Sequence, residues 1–144
     1  MSRFDSMRGP RGRFTPSRQK QKRMQAERRG RLAETLCVAH LRLTGWRILA
    51  RRLKANRGSG LGEVDIIARR GAVIAFIEVK ARLDPTAALD AVTTLQRARI
   101  ARAADAFIQR NAECSDCEIR FDVMIVGNSL FPKRIADAWR PELP

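Results

Sequence analysis

The sequence predicts an α/β domain behind a basic tail, and three observations carry that expectation. Leu32, Leu36, Ala39 and Leu43 recur at helical spacing. Val64 and Ile66, then Ile77 and Val79, alternate with charged residues in two runs that a tight turn would join. Thr93-Thr94-Leu95-Gln96 reads as a capping box opening a second helix, ahead of one more alternating run, EIRFDVMIV. Helices and strands therefore interleave along 144 residues, 44% of them hydrophobic, which suffices for one compact core and not for two.

The domain is expected over residues 29–144, behind a tail of residues 1–28. Residues 1–31 hold eleven Lys and Arg against two acids, whereas 32–144 hold eighteen against thirteen. The tail mixes Gly, Pro and Ser with its arginines and has almost no aliphatic residues. It buries too little apolar surface to offset the entropy of ordering, so disorder is expected to about Gln21 and helix beyond it. It lacks the apolar centre of a secretory signal, and its arginine-rich start resembles an organelle transit peptide in composition only. No run of 18 apolar residues occurs, so no membrane span is expected and the cytoplasm is the expected location. A formal net charge of +14 points to a polyanionic partner, nucleic acid before acidic membrane. Three cysteines argue against a disulfide framework. Cys37 with His40 and Cys114 with Cys117 would compose a Cys3His zinc set; ordinary packing of Cys37 in a helical stripe is the competing reading.

In chain order, the first helix runs from Arg31 to Thr44, with Gly45 as a left-handed cap. Glu34 lies away from the main stripe yet among Cys37, Val38 and Leu41, so it is either a solvated edge or an acid held inside. Trp46 to Leu53 reads as a first strand and ANRGSGLG as a loop. Glu63–Arg69 and Ala72–Lys80 form a hairpin if Arg70-Gly71 is its two-residue loop. That loop pairs Glu63 with Glu78 and Asp65 with Phe76, leaving Asp65 and Glu78 diagonal neighbours roughly 7 Å apart at the backbone. Glu63, Asp65, Glu78 and Lys80 then share one face, and Val64, Ile66, Ile77 and Val79 the other. Past Asp84-Pro85, TAALDAV is ambiguous. The second helix runs from the capping box to about Asn111 with Ile100, Ala103, Ala104 and Phe107 buried; Gln96 aligns with that stripe, and Arg97 and Arg99 lie at its basic approach. Glu118–Val126 is a fourth strand, with Ile119, Phe121, Val123 and Ile125 on one side and Arg120, Asp122, Met124 and Val126 on the other. A last strand or short helix is expected around Ile135–Trp139.

An aspartate on one strand and a Glu-x-Lys on the next suit phosphodiester hydrolysis with Mg2+ or Mn2+. Magnesium takes oxygen ligands and keeps several waters, so Asp65, Glu78 and the backbone carbonyl of Val79 would leave positions for water and a phosphate oxygen. Lys80 would orient that water or neutralise developing charge. The spacing alone equally fits a solvated sheet face with cross-strand Glu and Lys pairs.

The stretch GEVDIIARRGAVIAFIEVKAR, preceded by an AE-containing helix ending in glycine and by WRILARR, resembles the YraN-type bacterial family. Its members look like restriction-endonuclease-fold, PD-(D/E)XK enzymes related to archaeal Holliday-junction resolvases. The resemblance covers about residues 29–126. It implies an α/β/α restriction-endonuclease-like core with a mixed central β-sheet flanked by helices. It makes Asp65 and Glu78 metal ligands, Lys80 the catalytic lysine and Glu34 a helix-borne acid near the metal. Gln96 and Arg97 stand where the family often has lysine followed by glutamine; with Arg99 they are the expected nucleic-acid contacts. The implied activity is that of an Mg2+-dependent endonuclease on branched or otherwise structured DNA. A noncatalytic nucleic-acid-binding accessory protein is the alternative, disfavoured because acids facing phosphate weaken plain binding. A homodimer would supply the two sites that symmetric cutting of a four-way junction needs.

Overall fold

A computed structural model describes residues 17–54, 62–81 and 84–141. Within them the chain forms α1 (Arg18–Leu43), β1 (Arg47–Leu53), β2 (Val64–Arg70), β3 (Val73–Lys80), α2 (Pro85–Asp90), α3 (Thr94–Arg110), a 3-10 turn (Ala112–Cys114), β4 (Glu118–Ile125) and β5 (Lys133–Trp139). The strands lie in sequence order, β1-β2-β3-β4-β5, in one mixed sheet whose single parallel pair is β3 with β4. A parallel pair needs a long crossover, and α2 and α3 supply it. Cys37, Val38 and Leu41 of α1 pack with Trp46, Ile66, Ile77 and Met124 on one face of the sheet. Val92, Ile100, Ala103 and Ala104 pack with Ile67, Ile74, Phe76 and Trp139 on the other. This is the α/β/α core with a mixed sheet expected of the restriction-endonuclease-like class.

Each expected element is present, with strand bounds within a residue or two of those read from the sequence. The first helix is the exception: it begins at Arg18, capped by the Ser17 side chain, which accepts from the Lys20 N–H. Residues Arg18 to Gln21, expected to be disordered, are helical; the rest of that expectation falls on residues 1–16, outside the described residues. Residues 17–32 are all exposed, so this half of the helix carries no apolar pattern from which it could be read. The other end closes as expected. Gly45 (φ 86°) follows Thr44, the Trp46 N–H reaches the Leu41 carbonyl at 2.9 Å, and the Gly45 N–H reaches that of Arg42 at 3.2 Å, a Schellman motif.

The hairpin closes one residue later than expected. Arg70 pairs with Val73 and Ile66 with Ile77, so the loop is Gly71-Ala72. The positive φ of Gly71 (60°) at the first of two loop residues is the type II′ pattern. Pairing is thereby displaced by two residues, which preserves every face. Asp65 now stands level with Glu78 instead of diagonal to it. Val64 departs from its expected face: it packs with Ile67 on the α3 side, while Ile66 and Ile77 pack against α1. Two residues three apart on one face mean that strand alternation breaks between them, at Asp65.

Asp84 resolves the ambiguous TAALDAV stretch as α2, its carboxylate accepting from the Thr86 and Ala87 N–H groups (3.1 and 3.4 Å) with Pro85 at the first helical position. Thr93 caps α3 at the Gln96 N–H (3.2 Å). Phe76 meets Phe107 edge-on at 5.9 Å and Phe121 at 5.9 Å, and Phe121 stacks on Trp139 at 5.4 Å, an aromatic run beneath α3. The last element is a strand, β5. Most of the ANRGSGLG loop lies outside the described residues. Its last residue, Gly62, donates to the Arg99 carbonyl (3.2 Å), and a Cβ there would fall 2.8 Å from that of Arg99, so only glycine permits the approach. Among the described residues no helix is long and apolar enough to cross a membrane.

Candidate functional site

Asp65 sits one residue beyond the last β2–β3 ladder pair. The Val79 N–H donates to its Oδ2 at 2.8 Å, so a side chain takes the place of a strand carbonyl. Glu78, 6% exposed, receives Gln96 Nε2 of α3 on Oε1 at 2.7 Å and Lys80 Nζ on the same oxygen at 3.1 Å. The capping box is thus half made: Thr93 caps, but the Gln96 side chain turns to Glu78 rather than back to the helix start. Burial raises the Asp65 carboxyl, partly offset by the Val79 N–H. Burial first, and then the charge of Asp65, push Glu78 up to about 7 against the opposing pull of Lys80. Two carboxylates therefore converge, and among the described residues Lys80 is ion-paired with Glu78 without offsetting the effect of burial.

Glu34 is an acid held inside, not a solvated edge. It is 5% exposed, and its two oxygens receive Arg51 Nε (3.1 Å) and Arg52 Nε (2.6 Å). Neighbouring strand residues ordinarily point to opposite faces. A β-bulge between Ile48 and Ala50 and the left-handed backbone of Arg52 (φ 48°) let both arginines reach one carboxylate. Glu34 stays near enough for its charge to raise both Asp65 and the Cys37 thiol, the latter pushed up to about 12 chiefly by burial. The expected nucleic-acid contacts separate. Gln96 joins the acid pair; Arg97 donates to the Val92 carbonyl (3.0 Å) and lies over Trp139 (5.8 Å); Arg99 is exposed.

Among the described residues no group of three or more Asp, Glu, His or Cys side chains is gathered as a metal cage. The zinc alternative is set aside on geometry, because Cys37 packs on the α1 face of the sheet and Cys114 on the α3 face.

Sequence reasoning missed a third buried acid. Asp122 is fully buried and receives Arg120 at 2.9 and 3.2 Å and the Asp137 N–H at 2.9 Å, with Arg134 at 3.9 Å. Arg70, Arg134 and Arg120 lie 4.7, 4.9 and 5.5 Å from the ring centre of buried Trp46, at the sheet end opposite to Lys80. The one available signal was Arg120 and Asp122 two apart on the same strand face.

Comparison with known proteins matches residues 33–126 to the family described as uncharacterised protein family UPF0102. A UPF0102 protein of Paramagnetospirillum magneticum is 50% identical over 115 residues, covering 80% of this chain and 89% of that protein. One of Parvibaculum lavamentivorans is 44% identical over 116 residues, covering 81% and 84%. One of Erythrobacter litoralis is 39% identical over 120 residues, covering 83% and 99%. The match spans α1 from its first buried residue, the hairpin with its acid pair, and β4, and on that ground the chain belongs to the UPF0102 family, the YraN family its sequence resembles.

Proposed function

We propose that the protein is an Mg2+- or Mn2+-dependent endonuclease that hydrolyses phosphodiester bonds in branched or otherwise structured DNA. The observation that carries this reading is the convergence of Asp65 and Glu78, both raised by burial, with Lys80 paired to Glu78 and no ion pair to Asp65 among the described residues. A purely structural acid pair would be matched by cations, as Asp122 and Glu34 are. The donor set fits a hard divalent ion: two carboxylates and the Val79 carbonyl are ligands of the kind Mg2+ takes when it retains water. Such an ion would supply Lewis-acid polarisation of the phosphodiester and relieve the repulsion between the carboxylates.

The chain's own residues do the positioning. The Val79 N–H fixes Asp65 Oδ2, and Gln96 fixes Glu78 Oε1. Lys80 Nζ, 3.1 Å from Glu78, places a proton-bearing cation beside the position of the scissile phosphate, where negative charge grows during displacement. The net charge of +14 supports a polyanionic partner, and the family resemblance makes that partner DNA. The preference for branched DNA, and a homodimer with two sites, rest on the resemblance to junction resolvases alone.

The test is metal-dependent cleavage of duplex, single-stranded, flap and four-way-junction DNA by the wild type, Glu78→Gln and Lys80→Ala. The expected result is cleavage by the wild type only, with the junction or flap preferred and Lys80→Ala still binding metal. Binding of these DNAs with no cleavage in Mg2+ or Mn2+ would replace this reading with the noncatalytic accessory one.

A further inference from the structure

Among the described residues, nothing buries the first half of α1. Residues 17–32 are exposed, and the first buried residue is Ala33. At 1.5 Å per residue, Arg18 to Arg31 reach about 20 Å. The segment holds seven Lys and Arg against Glu27 alone. At about 100° per residue, Arg18, Lys22 and Arg29 fall on one side and Lys20 and Arg31 on the opposite one, so the charge surrounds the helix. Its first turn contains no acid, so Arg18 and Lys20 stand at the positive end of the helix dipole. A helix this short, without packing and with cations at the wrong end, gains little from its own sequence.

Its placement gives it a use. Arg29, Leu32, Ala33 and Leu36 border a cleft with Ala81 and residues 126–130. Ala81 follows Lys80, and the Val126 N–H bonds the Lys80 carbonyl at 2.9 Å. The exposed half of α1 therefore leaves the domain near the C-terminal ends of β3 and β4, where Glu78 and Lys80 stand. We infer that Arg18–Arg31 is a helical arm that lies in a groove of duplex DNA and holds the duplex against that end of the sheet. Charge on all sides suits a helix flanked by phosphates on both walls of the major groove, which is about 12 Å wide. An acidic membrane would require an apolar side, and between Arg18 and Arg31 only Met24, Ala26 and Gly30 lack a polar side chain. This inference rests on the nuclease reading for its substrate, and its test separates the two.

Gly30 joins the exposed and packed halves, and a Cβ there would meet nothing within 4 Å. Gly30→Ala should therefore stiffen the arm, and Gln25→Pro should break it, with every charge retained. Binding to a short DNA duplex in chelator is followed by fluorescence anisotropy across a salt series, with helix content followed by circular dichroism. The expected result is binding about tenfold weaker and a shallower salt slope for Gln25→Pro, and binding up to about fivefold tighter for Gly30→Ala. Wild-type affinity and slope in both variants would overturn the arm. So would loss of binding in Lys22→Gln/Arg23→Gln together with none in Gln25→Pro, because the charges would then act without the helix. Stronger arm-dependent binding to double-stranded RNA or to anionic vesicles would overturn the assignment to DNA. Arm-dependent binding with no cleavage of any DNA would leave the arm standing and remove the nuclease; cleavage and binding indifferent to both variants would do the reverse.

Discussion

On β4, Asp122 receives two bonds from Arg120, lies 3.9 Å from Arg134 and accepts the Asp137 N–H at 2.9 Å; at the far ends of β2 and β3, Asp65 accepts the Val79 N–H while Glu78 takes Gln96 and Lys80. Both regions use the same backbone device. The β4–β5 register slips between Phe121 and Val123, and Asp137 adopts φ 53°, which turns an N–H toward Asp122. The β2–β3 ladder ends before Asp65, which frees the Val79 N–H. Among the described residues what differs is countercharge: Asp122 faces two guanidiniums, whereas Asp65 and Glu78 have one ion pair between them, that of Glu78 with Lys80. A balanced buried acid holds elements together, whereas on the proposed reading the less compensated pair is poised for a metal cation.

The largest effect should come from exchanging these roles. Asp122→Ala leaves Arg120 and Arg134 with no acid between them and should cost about 3–5 kcal/mol in urea unfolding, a large part of the stability of a domain this size. Asp65→Ala should leave stability in chelator unchanged or higher, because it removes a repelling charge, yet lower metal-dependent cleavage by about three orders of magnitude, roughly 4 kcal/mol of barrier. Equal loss of stability in both variants would erase the contrast.

A smaller effect is expected from pH. Folded Glu78 keeps its proton to about 7, against an ordinary value of 4.5, so the folded state binds more protons between those values. In chelator the protein should therefore lose stability as pH rises from about 4.5 through about 7, by on the order of 1–3 kcal/mol. Glu78→Gln should flatten that part of the profile, and an unchanged profile would show that the pair is better compensated than its geometry implies. The smallest effect is Gln96→Ala, which frees Glu78 Oε1 from one donor. Cleavage should fall about tenfold while unfolding shifts by no more than about 1 kcal/mol.

Much of this was legible, for reasons particular residues make plain. The acid pair was found by alternation, and a loop placed one residue early still put Asp65 and Glu78 on one side, because the register error was two. Glycine at 71 serves as either residue of a two-residue loop, so spacing could not decide between them. The pairing of Glu34 with Arg51 and Arg52 could not be read, because it depends on a left-handed arginine that no glycine announces. Gln96 is expected from the sequence as a cap and a nucleic-acid contact, since only the fold shows that its side chain reaches Glu78 on β3. The balanced acid needed β5, whose pairing is long-range and whose pattern is weak. The exposed half of α1 has no buried face at all, which is why its first residues, Arg18 to Gln21, are expected from the sequence to be disordered.

The lone parallel pairing of β3 with β4 also sets an order in time. The hairpin is complete once Lys80 has been synthesised, but the partner for the other edge of β3 begins only at Glu118. Until then VIAFIEVK, rich in β-branched and aromatic residues, offers an unpaired edge to any extended chain nearby. A chain stopped before β4 would present its acid pair on an aggregation-prone ribbon, so premature termination anywhere between residues 81 and 117 should yield insoluble product and not a smaller working domain.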